Sequence, residues 1–466
     1  MKKLYTFILS AFGIMAAGAQ STLTVHDFKA GEFYMDYGDG NVEPYPVAGV
    51  FNHVSSNGKY AVGYDDQNVT SEYGCPFLWR KENPDNLEEI STSPLRISAC
   101  DVSDEGRIAG SFEIIPEGKD KGYCYPGWKD ADADEWHKLP VPEDYSMYQA
   151  KMGIFVNEAR AITPDGNTIA GNIHITVGEY EFQGSTFERT IEVPVFWKKN
   201  GEGEYVLDGC YTELGKAGNN LLYENGKFVD TEKDMPASTF FGRCITPDGK
   251  TYAGLNTAGC GGFNPAFVRD GKLYQIYDCG EAYDGFNEEP NFNGGCIYNA
   301  DANGNLYGFY QHADQTITYF MMSANNRLSI LSDASLCADK RGTRYPLEYQ
   351  GMFPMWDCDD EGTVFVGAGT AVVQELTYNY PICATDDSGL GITKPADNRD
   401  CVSMQYADNK IRLSGTYVAA NVFNASGKLV RTVGNGSVID LSAMPAGTYM
   451  VKVATPMGIK TFKVAR

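Results

Sequence analysis

Two acidic turns have the residue types and spacing to bind an ion. Asp357-Cys358-Asp359-Asp360-Glu361-Gly362 and Asp301-Ala302-Asn303-Gly304-Asn305 set oxygen side chains at alternate positions around a tight turn. Calcium takes roughly six to eight oxygens and suits such spacing. Asp357, Asp359, Glu361, Asp301 and Asn303 are therefore the candidate calcium ligands. Neither turn is followed by the bidentate glutamate of an EF-hand loop. Each also falls on a hairpin turn of a repeat, where Asp and Asn are favoured for local hydrogen bonding alone.

No other catalytic constellation stands out. The five histidines, His26, His53, His137, His174 and His312, are scattered and form no H-x-x-x-H or H-E-x-x-H spacing. No G-x-S-x-G elbow and no Walker loop occur. The 61 acidic residues are too many for sequence to select a glycosidase pair. Aromatic residues could stack on a sugar, yet Trp79, Trp128 and Trp197 occupy equivalent repeat positions and read as core. The twelve cysteines include no C-x-x-C pair, which argues against zinc. Disulfides are permitted in an exported chain, but Cys100, Cys244 and Cys358 precede repeat turns and read as small buried hydrophobes.

The formal charge is −23. Such acidity opposes binding to nucleic-acid phosphates and to anionic membrane surfaces. It favours solubility.

The elements that must position any site are repeated. Val54-Ser55-Ser56-Asn57-Gly58-Lys59-Tyr60-Ala61-Val62-Gly63 recurs as Ala161-Ile162-Thr163-Pro164-Asp165-Gly166-Asn167-Thr168-Ile169-Ala170-Gly171 and as Cys244-Ile245-Thr246-Pro247-Asp248-Gly249-Lys250-Thr251-Tyr252-Ala253-Gly254. Further copies carry their turn glycines at Gly106, Gly304 and Gly362, at intervals of about 50 to 80 residues. The turn glycine accepts positive φ and closes a tight hairpin. A later proline opens an aromatic strand, as in Pro76-Phe77-Leu78-Trp79-Arg80 and Pro194-Val195-Phe196-Trp197-Lys198. Roughly four strands per unit is the composition of a propeller blade. The pattern resembles HAF-type extracellular repeats and related bacterial β-propeller repeats, which implies a propeller of about six blades. Leu23 to Phe28 is expected to supply the missing strand of the last blade. A seventh blade in the stretch from Cys210 to Thr239, or an array of β-sandwiches, are the alternatives. The long segments Gly201 to Phe241 and Gly259 to Gly294, with Tyr211, Tyr223, Tyr283, Phe286 and Phe292, are candidate ligand loops.

The two ends read as addresses. Lys2 and Lys3, the apolar stretch Leu4 to Met15 and Ala17-Gly18-Ala19 form a signal-peptide pattern over residues 1–19. No later apolar run is long enough for a transmembrane segment. At the other end, alternating residues such as Val451, Val453, Phe462 and Val464, with turns at Ser426-Gly427 and Pro445-Ala446-Gly447, suit a small β-sandwich. Ala446-Gly447-Thr448-Tyr449 together with the closing Lys463-Val464-Ala465-Arg466 resembles the C-terminal sorting domain of type IX secretion system cargo in Bacteroidetes. That resemblance implies the type IX secretion machinery as a partner and a secreted or cell-surface location. The chain departs from many such tails in having Pro395-Ala396-Asp397-Asn398 where an Asn-Pro element often stands.

The organisation expected is all-β: signal peptide 1–19, propeller 20–390, linker 391–408 and sorting-type β-sandwich 409–466. The function expected is a surface binding module for a glycan or protein ligand. A carbohydrate-active enzyme with carboxylates at the channel mouth, or a structural surface protein, are the alternatives. Repeats that supply a scaffold without a catalytic motif favour the first.

Overall fold

A computed structural model describes residues 23–466 except 29–32, 37–41, 46–48, 66–74, 91–96, 147–156, 215, 217, 225, 231–238, 259–261, 277–293, 312–316, 332–351, 374–375, 387–402, 408, 415–418, 425–427, 435–437 and 456–457. The signal-peptide pattern, most of the linker, and Tyr283, Phe286 and Phe292 lie outside these described residues.

The repeat folds as anticipated into four-stranded antiparallel sheets. Blade 1 runs Gly49–Val54, Tyr60–Asp65, Cys75–Arg80, Leu87–Glu89. Blade 2 runs Ile97–Val102, Arg107–Ile114, Tyr123–Asp130, His137–Lys138. Blade 3 runs Glu158–Ile162, Thr168–Phe182, Ser185–Lys199, Tyr205–Cys210. Blade 4 uses Thr239–Ile245, Thr251–Ala258, Gly262–Arg269 and Lys272–Gln275. Blade 5 uses Gly294–Ala300, Leu306–Gln311, Ile317–Met322 and Leu328–Leu331. Blade 6 takes Met352–Cys358, Val364–Val373 and Leu376–Asp386 from the end of the repeat region.

Its fourth strand is Leu23–Asp27, antiparallel to Leu376–Asp386 with Leu23 opposite Asp386. The first strand of the repeat region thus completes the last blade. That pairing, and one small void lined by residues of all six inner strands, describe a ring rather than an array of sandwiches. The stretch from Cys210 to Thr239 is not a seventh blade. Asn220–Glu224 and Lys227–Asp230 form a hairpin that adds parallel to the outer strand of blade 4.

Apolar alternation explains the cores. Trp79 and Trp197 are fully buried, and each indole N–H donates to a carbonyl, of Pro84 at 3.0 Å and of Pro140 at 2.7 Å. Trp128 is only partly buried and carries the Arg107 guanidinium over its ring at 4.3 Å. Cys244 and Cys358 are buried, as their positions suggest. Polar turns interlock neighbouring blades: Asn57 N donates to Asp104 Oδ1 at 2.7 Å, Asp104 N to Pro164 O at 2.9 Å, and Asp360 N to Ser56 O at 2.7 Å. Blade 3 also extends its central hairpin outward to a turn at Gln183 and Gly184, leaving Tyr180 and Phe187 exposed and stacked at 5.6 Å.

The C-terminal unit is a separate β-sandwich. One sheet holds Ser403–Ala407, Lys410–Ser414 and Ile439–Asp440; the other orders Leu429–Gly434, Ala419–Asn424, Thr448–Thr455, Gly458–Ala465. Its first strand therefore begins inside the stretch 391–408 read from sequence as linker. Ile411, Val422, Leu441, Val451 and Val453 are fully buried between the sheets. The two sequence signatures of the tail meet: Gly447 and Arg466 exchange backbone hydrogen bonds at 3.1 and 2.9 Å, and Arg466 Nη2 donates to Ser442 O at 2.8 Å.

Candidate functional site

The site is built by one irregularity repeated around the ring. In each inner strand the pairing register shifts by one residue, a β-bulge. It falls at Asn52, Cys100, Arg160, Arg243, Tyr298 and Trp356. A bulge leaves its extra residue unpaired and bends the strand. The residue before each bulge stands opposite a glycine within the following strand: Gly63, Gly110, Gly171, Gly254, Gly308 and Gly367. At five of them a Cβ would lie 1.8–2.6 Å from an inner-strand carbonyl oxygen. Glycine is therefore what lets the bulge form.

The bulged residues Asn52, Cys100, Arg160, Arg243 and Tyr298 line an axial cavity of about 510 Å³, together with Tyr64, Ser98, Glu158 and His53. Arg243 is exposed into it, with its guanidinium 5.7 Å from the centre of the Tyr298 ring. Arg160 is ion-paired through Nη2 to Glu158, while its buried Nε has no hydrogen-bond partner. Burial pushes the Cys100 thiol up to about 12, and Glu158 adds to this against the pull of Arg160. Cys100 is thus a protonated thiol rather than a nucleophile.

One residue further along each inner strand lies a second ring: His53, Asp101, Ala161, Cys244, Asn299 and Asp357. It closes the axis down to a void of about 20 Å³. Its two aspartates act alike. Asp101 accepts from its neighbour Val102 N at 2.7 Å and from Ile162 N of blade 3 at 2.9 Å. Asp357 accepts from Cys358 N at 3.0 Å and from Val54 N of blade 1 at 3.0 Å. It also receives His53 Nδ1 at 3.1 Å and Asn299 Nδ2 at 3.3 Å. Burial raises the Asp101 pKa, opposed by the nearby His53.

The sequence-selected calcium ligands are placed by these same devices. Asp357 faces the axis, whereas Asp359 turns back on its own hairpin and accepts from Thr363 N at 2.6 Å and Val364 N at 3.0 Å. Burial nonetheless raises its pKa. Asp301 accepts from Asn303 N at 2.8 Å, Asn305 N at 2.9 Å and the Tyr307 hydroxyl at 2.9 Å. Ser55, Ser103, Thr163 and Thr246 do the same work with hydroxyls in the other four turns. Asn303 and Glu361 are exposed. The structure thus brings Asp301 and Asn303 into one turn but sends Asp357 and Asp359 to different partners. Carboxylate oxygens that face N–H and O–H donors do not form a calcium cage. Among the described residues no group of three or more His, Cys, Asp or Glu side chains is placed to hold a metal.

Behind Arg160 lies a buried acid. Burial pushes the Glu192 carboxyl up to about 8, with Glu158 adding to the effect and Arg160 opposing it. His174, whose Nε2 is 4.0 Å from Glu192 Oε2, is pulled down by burial to about 4. Near neutrality the proton therefore sits on Glu192 and the imidazole is neutral. Unfolded, Glu192 releases its proton near 4.5. The native state then holds more protons between about 4.5 and 8, so this group's stabilisation is lost as pH rises through that window. His174 has the opposite sign, losing stabilisation as pH falls from 6.5 toward 4. Above pH 6.5 the opposing His174 slope is gone and the Glu192 slope remains. Denaturant unfolding should show stability falling by about 2 kcal/mol from pH 6.5 to 8.5. Glu192→Gln should flatten that slope; an unchanged slope contradicts the assignment.

The sequence-selected loop aromatics that are described serve packing. Tyr211 meets Phe196 edge-on at 5.6 Å, and Tyr223 meets Phe228 at 5.2 Å. Of the bulge residues the sequence points only to Cys100, and as a buried hydrophobe, whereas it is half-buried on the cavity wall; the signal all six share is that each bulge lies six positions before the turn glycine of its repeat.

No family model matches the chain, and no curated protein matches it. Solved structures resembling it include TolB from Acinetobacter baumannii, at 10% identity and TM-score 0.33, covering 72% of this chain and 65% of that one. A puromycin hydrolase aligns at 11% identity and TM-score 0.35, covering 94% and 58%. The BP39L lectin from Burkholderia pseudomallei aligns at 10% identity and TM-score 0.28, covering 90% and 96%. This chain thus spans 65% or less of the length of the first two. At these TM-scores the likenesses carry no argument about ligand or reaction. The chain's own sheet order and ring closure identify it as an all-β, six-bladed β-propeller followed by a β-sandwich.

Proposed function

We propose that this chain is an exported surface protein whose propeller binds a small ligand, of glycan size, in its axial cavity. The axial cavity carries this reading. It is built from polar and aromatic residues of five blades, and its volume of about 510 Å³ falls in the range of small-ligand sites. A folded protein surface does not fit so recessed a space, which favours a glycan over a protein ligand. The N-terminal signal pattern and the tail's resemblance to type IX sorting domains support export to the cell surface. The raised acid Glu192 is not among the residues lining the cavity, and Glu158 is tied to Arg160. Binding is thus favoured over glycoside hydrolysis.

A glycan array with the chain from Gln20 onward should give selective hits. Val50→Trp, at a half-buried position on the cavity wall, should abolish them while leaving thermal unfolding within a few degrees. Hits that survive the bulky side chain would place binding elsewhere.

A further inference from the structure

We infer that the axial ligand is an acidic saccharide whose carboxylate or sulfate is recognised by Arg160 and Arg243. This inference rests on the axial-binding reading above. The protein as a whole carries a charge of −23, yet two of the six bulge positions present guanidiniums to one cavity. An acidic surface needs no arginine at its axis for solubility. Two forked donors in a recess match the geometry of a carboxylate or sulfate.

The partners already present do not use up these donors. Glu158 engages Arg160 through Nη2 and leaves Nε buried without a hydrogen-bond partner. A buried N–H of that kind is costly unless something completes it. Arg160 lines the cavity, so a small shift of its guanidinium toward an acidic ligand group would give that N–H its missing acceptor. Arg243 stands exposed in the cavity near the face of Tyr298. Tyr64 lines the same wall, so rings and hydroxyls are at hand for the body of a sugar. The neighbouring acid Glu192 holds its proton to about pH 8. It therefore adds little negative charge behind Arg160 at neutral pH.

The test is isothermal titration of the chain from Gln20 onward with four probes. These are a uronic-acid disaccharide, its carboxyl-reduced neutral twin, a sulfated disaccharide and a Glu-rich peptide. We expect at least one acidic disaccharide to bind and the neutral twin to bind at least about tenfold more weakly. Arg243→Gln, at an exposed side chain, should weaken the acidic sugar by about tenfold, the loss of one charge-assisted contact. Equal binding of the neutral twin, with Arg243→Gln silent and Val50→Trp still blocking, overturns the acidic inference and leaves the axial site standing. Binding untouched by Val50→Trp overturns both. Binding of the peptide alone, or of none of the four, also overturns the inference.

Discussion

Asp357→Ala should lower the unfolding free energy by about 3–5 kcal/mol, the usual loss when one member of a buried charged network is removed. Its side chain is buried and joins three blades: Val54 N and His53 of blade 1, Asn299 of blade 5, and its own neighbour Cys358 in blade 6. Alanine would leave the Val54 N–H and the Asn299 amide facing a void inside the axis. The site also lies at the seam where the last blade meets the first, the seam that Leu23–Asp27 closes from the outer side. Loss there loosens the ring where the chain is least continuous. Asp101→Ala removes a like carboxylate that ties blade 2 to blade 3 through Ile162 N. It should cost less, because those blades are joined by chain and no side-chain amide depends on it. Urea unfolding of both variants checks the order; a loss below about 1 kcal/mol for Asp357→Ala would sink the assignment.

The physics of the repeats explains why the architecture was legible and the site was not. Hairpin turns and alternating apolar strands are local patterns, so the six blades could be counted from Gly58, Gly106, Gly166, Gly249, Gly304 and Gly362. Even ring closure by Leu23–Asp27 follows from a missing fourth strand. The acidic turns stand out for the same reason. Asp301 and Asp359 are conspicuous in sequence, but each fills the acceptor role that a serine or threonine plays in the other repeats. Chemistry at the axis depends on which residue each bulge projects, and a bulge is a tertiary event. Asn52, Cys100, Arg160, Arg243 and Tyr298 have no one residue type in common and so show no motif. Only their common offset from the turn glycine relates them, and that offset acquires meaning once the bulge is seen. The hairpin at Asn220–Glu224 was hidden differently: it adds parallel to blade 4, so no turn signal links it to its partner strand.

Gly110→Ala should destabilise the protein by about 3 kcal/mol, at the top of the range for overpacking. A Cβ at Gly110 would stand 1.8 Å from Ser98 O and 2.8 Å from the carbon of that carbonyl. These are backbone atoms, so no side chain can swing aside. The inner strand of blade 2 must move, and with it the bulge that projects Cys100 into the cavity. Two readouts should therefore change together: the denaturation midpoint and the binding of any axial ligand. Gly201→Ala is the control, because its Cβ meets nothing within 4 Å and its φ is not in the left-handed region. It should stay within about 0.5 kcal/mol of the parent, the usual scale for a surface change. If Gly110→Ala matches that control in stability, the close approach of the two strands does not exist in solution. If it is destabilised but binds its ligand unchanged, the bulge supports the blade without shaping the site. Joint loss of stability and affinity is the expected result, because one glycine makes room for the same bend that builds the cavity wall.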